Sequence, residues 1–293
     1  MSGETTLEKE IDEDTREEER DDDAPESRQA RAPFDTGPKE KVVLDRPSSA
    51  KMVTTVARRE IAAYLQSPIT YIVISASLVI FGLWFFFYKG GFWDVGRATM
   101  QRMFDAVPIG LCGLVPLFTM RSLSDEKRVG TIELLITMPV KDSEVILGKY
   151  LGSLAMVCIG LLLLCAYPIT MFGIWHLGPL DWNPFWVGMI GLLFTSMAAT
   201  SIGLMWSSFT ESQILSYFAT LLTLVALYAL GSVTIVEFLQ GWAGEAVSFI
   251  SLQSRFEPFS RGIIDSRAIV YFLSITVLCL MVSFRSLESR KWT

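Results

Sequence analysis

Six stretches of this chain are long and apolar enough that a lipid bilayer is the solvent they suit. Crossing a hydrocarbon core of ~30 Å as a helix takes roughly 20 mainly apolar residues. In lipid each backbone N–H and C=O must be paired within the segment, so an isolated apolar run becomes a helix. The runs are 69–88, 104–121, 145–175, 185–209, 214–236 and 268–284. The second carries Pro108 and Pro116, which predict a kink, and it can continue outward through 97–104. The expected fold is therefore an all-α polytopic membrane protein with six transmembrane helices.

Charge separates the chain into two parts. Residues 1–50 hold 16 Asp and Glu against 8 Lys and Arg, whereas residues 51–293 hold 15 against 17. The acidic pI of 5.0 is thus a property of the first part and says little about the apolar body. With Glu17–Asp23 followed by Pro25, Pro33, Gly37 and Pro38, residues 1–50 read as an acidic disordered cytosolic tail. They lack the cationic start and immediate apolar run of a signal peptide. A docking arm for a basic partner is the sharper reading of the same residues. The expected domains are this tail and a six-helix membrane domain over 51–293.

Two segments outside the spans are also patterned. Between Lys51 and Gln66, Val53, Ala57, Ile61, Tyr64 and Leu65 recur at helical spacing, with Thr54, Thr55, Arg58 and Arg59 on the other side. This predicts an amphipathic helix along the inner membrane surface, ended by Ser67-Pro68. A plain extension of the first span is the competing reading. The second segment, 237–267, holds Trp242, Val247, Phe249, Ile250, Phe256 and Phe259. A loop so long and so apolar should be packed, which predicts short helices dipping into the outer leaflet as a re-entrant pair.

Lys and Arg near the spans set the orientation. With the N-terminus inside, Lys51, Arg58, Arg59, Arg121, Lys127, Arg128, Lys141, Lys149, Arg285, Arg290 and Lys291 lie on the cytoplasmic side. Lys89, Arg97, Arg102, Arg255, Arg261 and Arg267 lie outside. Both termini are expected in the cytoplasm, and Trp84, Trp175, Trp182 and Trp186 fall near the outer interface.

Reactive chemistry is thin. Cys112, Cys158, Cys165 and Cys279 sit inside apolar runs with no CxxC pair, and the lone His176 lies in a turn. No HExxH or GxSxG occurs, and no two carboxylates face each other at membrane depth. The nearest string to a phosphate loop, Ser143 to Tyr150, lacks the first glycine, ends in Tyr and opens a span. Gly148 and Gly152 within it form a GxxxG, a spacing that lets helices approach closely. Neither a cofactor nor a metal bound by this chain is expected, and nucleic acid is not an expected partner.

The densest polar stretch separates the second and third runs, from Arg121 to Ser143. Gly130 should break a helix leaving the membrane. Thr131 can cap a short new helix carrying Ile132, Leu134, Leu135 and Ile136, Pro139 can close it, and Asp142 or Ser143 can cap the third span. Asp125-Glu-Lys-Arg-Val-Gly-Thr-Ile-Glu-Leu-Leu-Ile-Thr-Met-Pro-Val140, followed by Ile146-Leu-Gly-Lys-Tyr150, resembles the type-2 ABC exporter permeases. The gliding-motility and nitrous-oxide-reductase-maturation branch is the most similar. Ser254-Arg-Phe-Glu-Pro-Phe259 through Gly262 and Asp265, then Val270-Tyr-Phe272 and Arg285 to Trp292, extend the likeness over roughly residues 50–293.

That resemblance implies a permease subunit in a bacterial inner membrane, working as a dimer with a second copy or a related permease. Two copies of a separate ATP-binding subunit would hold the ATP and Mg. An accessory extracytoplasmic protein and membrane lipid complete the implied partners. Glu126, Lys127, Arg128, Gly130, Thr131, Glu133, Leu134 and Pro139 would belong to the coupling helix facing the ATPase. Glu211, in the Ser208–Gln213 turn, would make a second contact. Two rivals remain from the residues alone. One is a scaffold in a motility or maturation complex that transports nothing. The other is a membrane enzyme using Arg255, Glu257 and Asp265 of the outer loop, where Phe256 and Gly262 also lie.

Overall fold

The computed structural model describes residues 48–87, 101–130, 141–173, 182–232 and 241–289. Residues 1–47 of the expected tail, the whole of the short helix expected after Gly130, and His176 fall outside those residues, and α1 takes in the last two tail positions, Ser49 and Ala50. Among the described residues the chain is all helix: α1 Ser49–Gln66, α2 Pro68–Phe87, α3 Gln101–Thr119, α4 Ser124–Val129, α5 Asp142–Leu163, α6 Ala166–Gly173, α7 Trp182–Phe209, α8 Gln213–Ala229, α9 Trp242–Ile250, α10 Leu252–Ser260 and α11 Ser266–Ser289. Five stretches are long and apolar enough to cross a membrane: 68–87, 103–129, 142–170, 182–209 and 266–289. The expected run 214–236 is represented by α8, a shorter apolar helix of 17 residues. It ends in a turn at Leu230–Gly231, where a Cβ on Gly231 would fall 2.9 Å from Gln253 Cβ. The missing side chain of Gly231 leaves room there for Ser251 and the start of α10.

Prolines mark two breaks. Ser67 adopts an extended backbone before Pro68, so α1 and α2 are separate helices and α1 is no extension of the first span. The third run divides at Leu164–Cys165, because Pro168 cannot donate to the Leu164 carbonyl and its ring crowds that group.

The core forms around α7, which is buried along most of its length between α3, α10 and α11. Small residues on α7 admit large neighbours. A Cβ on Gly188 would come 2.6 Å from Phe104 Cζ, and one on Gly191 would come 2.5 Å from Phe259 Cβ. Phe104, Phe185, Phe259 and Phe272 are fully buried there. By contrast α2 leaves Ile72, Val79, Ile80 and Phe87 exposed. Without a hydrophobic drive between helices in lipid, close packing through small residues is what holds such a bundle.

The amphipathic helix packs on α5: the side chains of Val56 and Glu60 and the backbone oxygens of Val53 and Ala57 stand against Gly148 and Gly152. Of the expected apolar stripe, Ala57 is buried while Ile61 and Tyr64 pack on the core. Thr54, Thr55, Arg58 and Arg59 stay exposed, as the pattern required.

Candidate coupling site

The loop that opens at Arg121 starts with turns at 120–123 and then α4. The first N–H groups of a helix need outside acceptors, and α4 has no side-chain cap of its own at Leu123. Ser207, near the end of α7, supplies the acceptor: its Oγ takes hydrogen bonds from Leu123 N at 3.0 Å and Ser124 N at 3.1 Å. Gly130 closes α4 at φ 73°, a left-handed conformation that glycine adopts without a Cβ clash, and its N–H donates to Lys127 O.

Two further contacts tie α4 to the turn after α7. Lys127 Nζ donates to Ser208 O, and Gln213 Nε2 donates to Asp125 Oδ1. Ser286 of α11 also donates to Ser208 O, at 3.0 Å. The two loops singled out in the sequence as separate contacts are therefore one hydrogen-bonded joint. Replacing Ser207 by Ala should leave two buried backbone donors without acceptors, at about 1–3 kcal/mol each. Hydrogen exchange at residues 123–124 should accelerate selectively; unchanged exchange there would mean that the cap carries no weight.

Lys149 joins a third element. It lies inside α5, only 5% exposed, with its ammonium 2.5 Å from Glu60 Oε1, 2.8 Å from Glu126 Oε1 and 2.7 Å from Ser122 O. One cation thus links α1, α4 and α5. Beside it Tyr64 donates to Phe118 O at 2.6 Å. Burial, and after it the Glu60 carboxylate, push the Tyr64 phenol well above its ordinary range, so it stays a neutral donor.

The expected coupling residues divide accordingly. Glu126 and Lys127 are turned inward, onto Lys149 and Ser208, instead of projecting from the loop. A six-residue helix braced on both sides has few positions free to point away. Arg128, Val129 and Gly130 are exposed, as is Glu211. Thr131, Glu133, Leu134 and Pro139 lie outside the described residues. The third span is capped differently from expectation: Lys141 occupies the cap position, and its backbone N–H donates to Glu144 Oε2 at 3.2 Å. Sequence reasoning counted Lys149 only as a flanking positive charge. The available signal was a lysine inside an apolar run, between two glycines.

The outer-loop residues do not converge. Arg255 stacks over the Phe249 ring at 4.1 Å and donates to Phe249 O. Glu257 pairs with Arg261, and Asp265 Oδ1 accepts from Arg267 N at the start of α11. Phe256 is buried against Gly191, and Gly262 turns the chain at φ 82° against Pro184. Each of the three ionisable groups serves a different local contact, which is a packed corner and not the shape of a shared reactive centre.

Five bilayer-length apolar helices, with a buried ionic joint where the polar loops meet, define a multi-pass membrane protein. The chain belongs to the ABC-2 transporter family: the model for ABC-2 family transporter protein matches residues 94–284, from before α3 into α11. No curated protein matches it.

Proposed function

We propose that this chain is the permease subunit of an ABC transporter, moved by a separate ATP-binding subunit seated on the joint of α4 and the 210–212 turn. The carrying observation is that α4 is bonded to Ser208 and Gln213, the residues on either side of this turn, in one body which leaves Arg128, Val129 and Glu211 exposed. A push on that surface reaches α5 and α1 through Glu126, Lys149 and Glu60. Residues 131–140, with Thr131, Glu133, Leu134 and Pro139, continue the contact. ATP and Mg bind to the partner, in two copies, and a second permease copy or a relative completes the membrane unit.

In this reading the body has six spans, α8 being a short fifth, and α9 and α10 form the re-entrant pair before the last. The excess of Lys and Arg on one side supports cytoplasmic termini in a bacterial inner membrane. The likeness of the Asp125–Val140 string favours the gliding-motility and nitrous-oxide-reductase-maturation branch, with export or mechanical work on an envelope component as output. An accessory extracytoplasmic protein fits that output.

Charge reversal tests the contact. Arg128→Glu combined with Glu211→Lys should cut co-purification with the ATP-binding subunit about tenfold, the scale of an interface hot spot. The chain's own thermal stability should hardly change. Wild-type co-purification together with wild-type ATPase activity would sink the assignment. Glu126→Lys is a poor probe, because it would strike the internal pair with Lys149.

A further inference from the structure

A cavity of about 640 Å³ opens beside the ionic joint, between α1, α2, the end of α3 and the start of α5. That volume falls in the roughly 300–1,000 Å³ range of small-molecule sites. Its two sides differ in character. One is apolar, with Ile69 and Val73 of α2 and Leu117 and Phe118 of α3. The other is polar and holds six charged side chains.

The six charges balance, three cations against three carboxylates, but each carboxylate already has one oxygen engaged. Glu60 and Glu126 share Lys149, and Asp125 accepts from Gln213. The remaining charged groups are two guanidiniums, Arg59 and Arg121, neither in an ion pair among the described residues. Arg121 Nε is buried without a hydrogen-bond partner, and so is the Oγ of the adjacent Ser122. Buried polar groups of a native protein are almost always satisfied, and a half-buried guanidinium that leaves an N–H unpaired is costly. An anion with several acceptor oxygens, placed in the cavity, answers both needs.

The apolar side says which anion. Ile69 and Val73 belong to the first turns of α2, a helix of membrane-spanning length that leaves Ile69 and Ile72 exposed along the same stretch. The cavity lies at the end of that helix, where α1 meets it at Ser67–Pro68. Two guanidiniums outside any ion pair among the described residues, next to an apolar helix end, offer the donors by which lipid headgroups are held. We infer that this cavity binds the phosphate of a membrane glycerophospholipid, with Arg59 and Arg121 on the phosphate and the acyl chains running along α2. The site asks nothing of the ATP-binding partner. It makes a bound lipid part of the wall between α1 and the joint.

The probe is a phosphatidylglycerol carrying a photoreactive diazirine near the head of one acyl chain, added to the full-length chain in nanodiscs. Crosslinks mapped by peptide mass spectrometry should concentrate on residues 69–73 and 117–118. Arg59→Gln and Arg121→Gln should each reduce those crosslinks about fivefold, the scale of one basic residue at a membrane surface. Arg267→Gln, at an exposed position on α11, should leave them unchanged. Arg59 is exposed, so its variant keeps the test open even if Arg121→Gln misfolds. Crosslinks spread evenly over lipid-facing helices, or undiminished in both variants, would overturn the inference. So would full competition by millimolar glycerol 3-phosphate, which would assign the site to a soluble phosphate.

Discussion

Lys149→Met should destabilise the chain by about 3–5 kcal/mol, the cost typical of removing one partner from a buried ion pair. The ammonium stands within 2.8 Å of both Glu60 and Glu126 and donates to Ser122 O. Methionine nearly keeps the length of the stem, so what the variant removes is the charge. Two half-buried carboxylates from different helices then face each other without the cation between them. Thermal unfolding of the purified chain in detergent measures the loss. Adding Glu60→Gln and Glu126→Gln to Lys149→Met should restore most of the stability, since a neutral cluster of similar shape needs no counter-charge. Stability equal to wild type in Lys149→Met alone would show that the cluster is dispensable. If the joint also transmits force, the triple variant should fold yet couple poorly, separating what the cluster does for folding from what it does for function.

That cluster was the least legible part of the chain, for a physical reason. Spans show in the sequence because burial in lipid is a property of the run itself, and the breaks at Pro68 and Gly130 follow from backbone chemistry within a few residues. The same rule applied to Pro168 would have divided the third run at Leu164. Lys149 is different: Glu60 lies 89 positions away, and nothing in the local string selects it as partner. The pairing of α4 with Ser207, Ser208 and Gln213 is equally non-local. The inward turn of Glu126 and Lys127 has the same origin. A string rich in charges looks solvated until its neighbours are known, and here Asp125, Glu126 and Lys127 are all engaged by other helices.

The GxxxG of α5 leads to the second large effect. A Cβ on Gly148 would fall 2.6 Å from Val56 Cβ and 3.1 Å from Val53 O; one on Gly152 would fall 2.6 Å from Glu60 Cβ. These neighbours are backbone or the first atoms of side chains, so they yield only if α1 moves as a body. Gly148→Ala and Gly152→Ala should each destabilise by about 1–3 kcal/mol, the range for overpacked contacts, even though alanine favours helix by roughly 1 kcal/mol over glycine. Gly113→Ala supplies the reference: nothing lies within 4 Å of its Cβ, so it should be neutral or stabilising. Val56→Gly should recover part of the Gly148→Ala loss, and a double-mutant cycle reads that coupling directly. The same displacement of α1 relieves both clashes and draws Glu60 from Lys149 once, so the doubly substituted Gly148→Ala, Gly152→Ala chain should lose less than the sum of the single effects. Both variants behaving like Gly113→Ala would mean that α1 rests loosely on α5. A push on α4 would then have no rigid route to α1.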